Sequence, residues 1–145
     1  MIVVDANVML AAFRSTRGAS HWLLRALLNG EIPFAVSTAV VIEYEDVLKR
    51  PGLLGESPWV SAEEIDVVLD ALISRANLVF PTFRFRPLLD DPKDDLYLEC
   101  AIISGARLIV SSDKHFNHPI VNALGIEVKR AGDFVGEIVE KRRRS

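Results

Sequence analysis

The sequence predicts an α/β sandwich with a mostly parallel central sheet, and two observations carry that prediction. Ile2-Val3-Val4 and Leu108-Ile109-Val110 are apolar at every position, as central parallel strands covered on both faces must be. Around them, short apolar runs alternate with stretches of helical periodicity, the order that strand–helix–strand units produce.

After the first strand, Trp22, Leu23, Ala26 and Leu27 recur at helical spacing over Ala19 to Leu28, and Asn29-Gly30 closes that helix as a left-handed cap. Pro33 to Val36 reads as the second strand. Ser37 and Thr38 offer N-cap oxygens to a helix that ends near Arg50, before Pro51. Ser61-Ala62-Glu63-Glu64 has capping-box spacing and opens a helix with Ile65, Val68, Leu69, Leu72 and Ile73 on one face. Leu78-Val79-Phe80 is a third strand, followed by a Pro- and Arg-rich loop through Pro87. Asp91-Pro92 starts a helix that runs to Gly105, with Asp91 as N-cap. The strand Leu108 to Val110, a short helix from His118 to Leu124, a strand Ile126 to Val128 and a helix from Asp133 complete the chain. Nothing repeats and nothing reads as a linker, so residues 1–145 are expected to form one domain, a length that suits a single core.

With 50% apolar and 26% charged residues, composition excludes disordered, collagen-like and coiled-coil chains. No apolar run approaches the roughly 18 residues that span a bilayer, and no basic segment precedes the first apolar stretch, so the expected location is the cytoplasm and no membrane partner is expected. The single cysteine, Cys100, sits in an apolar run and reads as a small buried hydrophobe.

Carboxylates carry the chemical signal. Asp5 and Asp113 stand just beyond the two all-apolar strands, on the edge where open α/β sheets bind ligands. Glu43, a turn into its helix, and the pair Asp94-Asp95, at the front of theirs, belong to helix starts that commonly open onto the same edge. Each has a plain structural alternative: Asp5 with Asn7 as a capping turn, Asp113 as an Asx-turn, Asp94 and Asp95 as acids favoured by a helix dipole. Glu43 reads equally well as a surface residue beside Glu45 and Asp46. Four acids falling on one expected edge favour a shared site.

Spaced carboxylates suit Mg²⁺ or Mn²⁺, which take oxygen ligands, better than Zn²⁺, and two such ions suit phosphodiester hydrolysis. His115 and His118 lack a third ligand at zinc-site spacing and read as polar loop residues. No Gly-rich phosphate loop competes. The net charge of −3 opposes nucleic-acid binding unless bound cations reverse the local balance. Lys141-Arg142-Arg143-Arg144 reads first as a solvated helix end. Arg14, Arg17 and Lys114 are the candidate phosphate contacts near the expected edge.

Four segments together resemble the PIN-domain ribonucleases, and in particular the branch of toxin components of toxin–antitoxin systems: Val4-Asp5-Ala6-Asn7-Val8; Glu43-Tyr44 with Val47-Leu48; Asp91-Pro92-Lys93-Asp94-Asp95 with Glu99-Cys100-Ala101; and Ile109-Val110-Ser111-Ser112-Asp113-Lys114 with Phe116. The resemblance implies a three-layer α/β/α sandwich with endoribonuclease activity on RNA and a small antitoxin protein as partner. A homodimer is one assembly it leaves open. It implies that Asp5, Glu43 and Asp113 are catalytic, metal-binding acids and that the third acid of the family falls on Asp94 or Asp95. Asn7 and Ser112 match its supporting polar positions. Rival readings are a non-catalytic RNA-binding subunit of the same fold and a receiver-like phospho-acceptor. The latter calls for a Lys and a hydroxyl on separate late strands, whereas Ser111, Ser112 and Lys114 crowd beside Asp113.

Overall fold

The computed structural model describes residues 1–55, 58–81 and 92–145. Its elements in chain order are β1 (Ile2–Val4), α1 (Ala6–Arg14), α2 (Ala19–Leu28), β2 (Ala35–Ser37), α3 (Thr38–Lys49), α4 (Ala62–Arg75), β3 (Asn77–Val79), α5 (Pro92–Ser104), β4 (Leu108–Val110), α6 (Pro119–Ala123), β5 (Glu127–Lys129) and α7 (Ala131–Arg144), with a 3₁₀ turn at Lys114–Phe116. The expected loop through Pro87 falls largely, and the expected N-cap Asp91 wholly, outside the described residues.

Every strand pairing among the described residues is parallel. One ladder runs β1-β4-β5 and another pairs β2 with β3. A parallel bridge between Ile2 and Phe34, with Ile2 N–H donating to the Pro33 carbonyl at 3.1 Å, joins the two into the order β3-β2-β1-β4-β5. The chain therefore builds outward from β1 in one direction, then returns to its other side with β4. Right-handed crossovers put the connecting helices on opposite faces for the two directions. α5 accordingly packs across β1, β2, β3 and β4, while α1 to α4 pack on one another, with α7 against α2, giving an α/β/α sandwich.

Burial follows the sequence pattern. β1 is buried at all three positions, whereas β3 and β5, at the sheet edges, are partly exposed. Val3, Val4, Ile109 and Val110 lie at the centre, with Leu98 of α5 and Tyr44 of α3 fully enclosed. The Tyr44 hydroxyl donates to the Val4 carbonyl, which ties α3 to the end of β1. No helix among the described residues is long and apolar enough to cross a membrane.

The terminal signals act as their chemistry requires. Gly30 closes α2 at φ +72°, a conformation open to glycine without Cβ strain. The Ser37 side chain accepts from Val40 N–H. Ser61 and Glu64 exchange both bonds of a capping box, at 3.1 and 3.2 Å. One helix has no counterpart among the sequence expectations. α1 buries Ala6, Val8, Met9, Leu10, Ala12 and Phe13 and exposes Asn7, Ala11 and Arg14 along one narrow face; with Ala11 apolar, only Asn7 and Arg14 mark that face in the sequence.

Because the α4 capping box is exposed, it can be tested without disturbing the core. Ser61→Ala should lower unfolding stability by about 1 kcal/mol, read as a lower urea midpoint at unchanged slope.

Candidate active site

In an open α/β sheet the crevice lies where the strand order reverses, outside the carboxyl ends of the strands on either side. Here those strands are β1 and β4. Asp5 follows β1, and its N–H donates to the Val110 carbonyl at 3.0 Å, continuing the pairing one residue past the ladder. Its side chain caps α1: Oδ1 accepts from Asn7 N–H at 3.2 Å. The other oxygen, Oδ2, accepts from Ser111 Oγ at 2.6 Å. Ser111 Oγ in turn accepts from Asp113 N–H at 3.0 Å, so one hydroxyl fixes both acids.

Asp113 Oδ1 accepts from His115 N–H at 2.9 Å and caps the 3₁₀ turn. Asp94 enters from the first turn of α5 and is buried. One turn on, Tyr97 presents its hydroxyl to Ala6 N–H at 3.1 Å, which holds the start of α1 against α5. Glu43 comes from α3, with Lys93 Nζ 4.0 Å from its Oε1.

Asp5, Glu43, Asp94 and Asp113 line one pocket of about 180 Å³. Among the described residues, Arg50 and Lys93 are the cationic side chains that line it, two positive charges against four carboxylates. Arg50 is also engaged with Asp46, at 2.5 Å. Carboxylates thus outnumber cations among the described lining residues, and their oxygens are donors suited to a hard divalent cation.

Burial is the largest influence on Asp5 and raises its carboxyl above the ordinary aspartate range. Hydrogen bonds from Ser111 and Asn7 lower it, and the neighbouring Asp113 and Glu43 raise it. Burial likewise pushes the Tyr97 hydroxyl well up, so it remains a protonated donor or acceptor at neutral pH. Cys100 is buried, and its thiol is pushed up to about 12 by that burial.

The structural and site readings of the acids coexist: Asp5 and Asp113 make the expected capping turns and still face the pocket. Glu43 turns inward while Glu45 and Asp46 are exposed. Of the α5 pair, Asp94 lines the pocket, whereas Asp95 is wholly buried and does not. Asn7 lines the pocket. Ser112 is exposed and outside it; its expected supporting place is taken by Ser111. The physical reason is the strand period of two: beyond β4, Ser111 and Asp113 share a side and Ser112 faces away.

Among the expected phosphate contacts, Arg14 donates to the Leu53 carbonyl at 2.8 Å and Arg17 lines a separate cleft along α2 with Arg25 and Arg142. Lys114 is exposed on the 3₁₀ turn, and neither it nor the two arginines lines the carboxylate pocket. His115, expected as a polar loop residue, is exposed on the 3₁₀ turn and stands beside two of the acids. Its Nδ1 lies 3.0 Å from both Asp94 Oδ2 and Asp113 Oδ1. Lys93, Arg50 and Tyr97 were likewise not singled out by the sequence pattern.

A family model described as PIN domain matches residues 1–115. No curated protein matches the chain.

The raised Asp5 carboxyl fixes the sign of a pH effect. The folded state holds this proton more tightly than the unfolded chain, so ionised Asp5 costs stability above its folded pKa, and the cost vanishes as pH falls below the unfolded value. In EDTA, Asp5→Asn should melt above the wild type at pH 7, with the gap closing as pH falls toward about 4. Melting curves across that range check it; a gap independent of pH would assign the change to packing instead of charge.

Proposed function

From the finding that the chain belongs to the PIN-domain family, whose members are generally metal-dependent nucleases, we propose that it is an endoribonuclease that hydrolyses RNA phosphodiester bonds with Mg²⁺ or Mn²⁺. The observation that carries this reading is the convergence of Asp5, Glu43, Asp94 and Asp113 on one pocket at the switch point of the sheet. Those oxygens would hold the cation, and a divalent cation bound there supplies a water of lowered pKa and neutralises charge on the phosphate.

The chain's own groups do the rest. Ser111 and Asn7 hold the Asp5 carboxylate at a fixed angle, so little reorganisation accompanies cation binding. Tyr97 secures the first turn of α1 and with it the Asp5 backbone. Lys93, exposed at the rim beside Glu43, is placed to meet a backbone phosphate. Asp95, buried on the other side of the α5 start, serves the fold in this reading, and Asp94 is the third acid of the family.

We extend the proposal to the toxin half of a toxin–antitoxin pair, acting in the cytoplasm, with a small antitoxin protein as partner. The support for this finer statement is the resemblance of the four sequence segments to that branch.

Single-stranded RNA incubated with Mn²⁺ or Mg²⁺ tests the reading. The wild type should cleave it, and EDTA should stop the cleavage. Asp5→Asn and Asp113→Asn should each lose activity on the order of 100-fold or more, the scale for removing a group that stabilises transition-state charge, while remaining folded by circular dichroism. Equal cleavage in all samples would indicate a contaminating nuclease, and no cleavage by any would favour a non-catalytic RNA-binding subunit.

A further inference from the structure

We propose that His115 is a nitrogen ligand of the cation site, completing with Asp94 and Asp113 a mixed nitrogen–oxygen set that favours Mn²⁺ over Mg²⁺. The inference rests on the metal-dependent reading of the pocket and adds to it a residue that the carboxylate pattern does not contain.

The geometry is that of three donors around one ion. One atom each from Asp94, Asp113 and His115 lies within 4.8 Å of the other two. His115 Nδ1 is 3.0 Å from Asp94 Oδ2 and 3.0 Å from Asp113 Oδ1. Metal–ligand bonds of about 2.1 Å at right angles leave neighbouring ligand atoms about 3 Å apart, so these separations match adjacent corners of an octahedron.

The three residues also differ in how firmly they are held. Asp94 is buried on α5 and Asp113 is partly buried at the end of β4. The imidazole closes the group from the solvent side, and the His115 backbone N–H donates to Asp113 Oδ1 at 2.9 Å within the 3₁₀ turn. Two residues of spacing and that backbone bond leave the ring few positions other than over the acid pair.

The chemistry of the donor decides the preference. Mg²⁺ takes oxygen and gives up water reluctantly, so an imidazole adds little to its binding. Mn²⁺ accepts imidazole more readily, as do the later divalent ions of the first row. Lys114, next in the chain, has no such donor, since an ammonium carries no lone pair.

Electron spin-echo spectroscopy of the Mn²⁺-loaded protein, without RNA, reads the bond directly. A ¹⁴N coupling from a coordinated imidazole is expected in the wild type and in His118→Ala, and its loss is expected in His115→Ala and His115→Gln. In parallel, the Mn²⁺ dissociation constant should rise about tenfold in His115→Ala, and that for Mg²⁺ by less than about twofold. His115 is about half exposed, so both variants should fold; thermal melting in EDTA verifies this. Mn²⁺ binding without nitrogen coupling, or equal loss for both ions, would overturn the proposal and leave the nuclease reading standing. Failure of the wild type to bind either ion would overturn both.

Discussion

The hydrogen bond from Ser111 to Asp5 joins two residues 106 positions apart, and the candidate site is organised around it. It is possible because β1 and β4 pair in register, Val4 opposite Val110, so the residues that leave the two strands leave side by side. Parallel pairing keeps both carboxyl ends on one edge, and reversal of strand order opens the space above them. Asp113 is then fixed through the same hydroxyl, α1 is started by the same carboxylate, and α5 is docked by Tyr97 on the first residue of α1. The fold and the site share these few contacts.

That sharing has an electrostatic cost. A carboxylate enclosed as Asp5 is, with Asp113 and Glu43 as neighbours, disfavours its own ionisation. Nearby cations offset part of it: Lys93 stands at the long limit of an ion pair with Glu43, and Arg50 is divided between the pocket and Asp46. In the proposed reading a divalent cation neutralises the charge that remains among the described residues, and the same repulsion that strains the folded chain is the source of its affinity for metal. Backbone N–H groups and one hydroxyl hold the acids in place, and these need no rearrangement when a cation enters.

Overall charge is a poor guide to such a protein. The chain carries −3 in sum, yet its charges are sorted: acids converge at the switch point, while Arg17, Arg25 and Arg142 gather along α2, where Arg142 also stacks over Trp22 with its guanidinium carbon 5.4 Å from the ring centre. The basic tail is thus partly packed against the body of the protein, with Arg142 near Glu31 at 3.5 Å. Sorting of this kind is invisible to a sum and follows from which helices touch, here α2 and α7.

Much of the architecture was legible in the residues. The all-apolar β1 and β4, the capping box at Ser61 and the closing Gly30 are local signals, and a parallel α/β sandwich follows from them because burial on both faces and N-cap chemistry act over a few residues. α1 escaped because its exposed face, Asn7, Ala11 and Arg14, is narrow and carries an apolar Ala11 in its middle, which leaves the polar period faint. For the site, the sequence by itself determined which acids end the central strands, since a strand's end is a local property. Only the tertiary structure decided that Asp94 and not Asp95 faces the pocket, that Ser111 and not Ser112 links the acids, and that His115 stands between Asp94 and Asp113. Each of those choices depends on the angle at which one element meets another, and no short stretch of chain encodes the direction from which its neighbour will arrive.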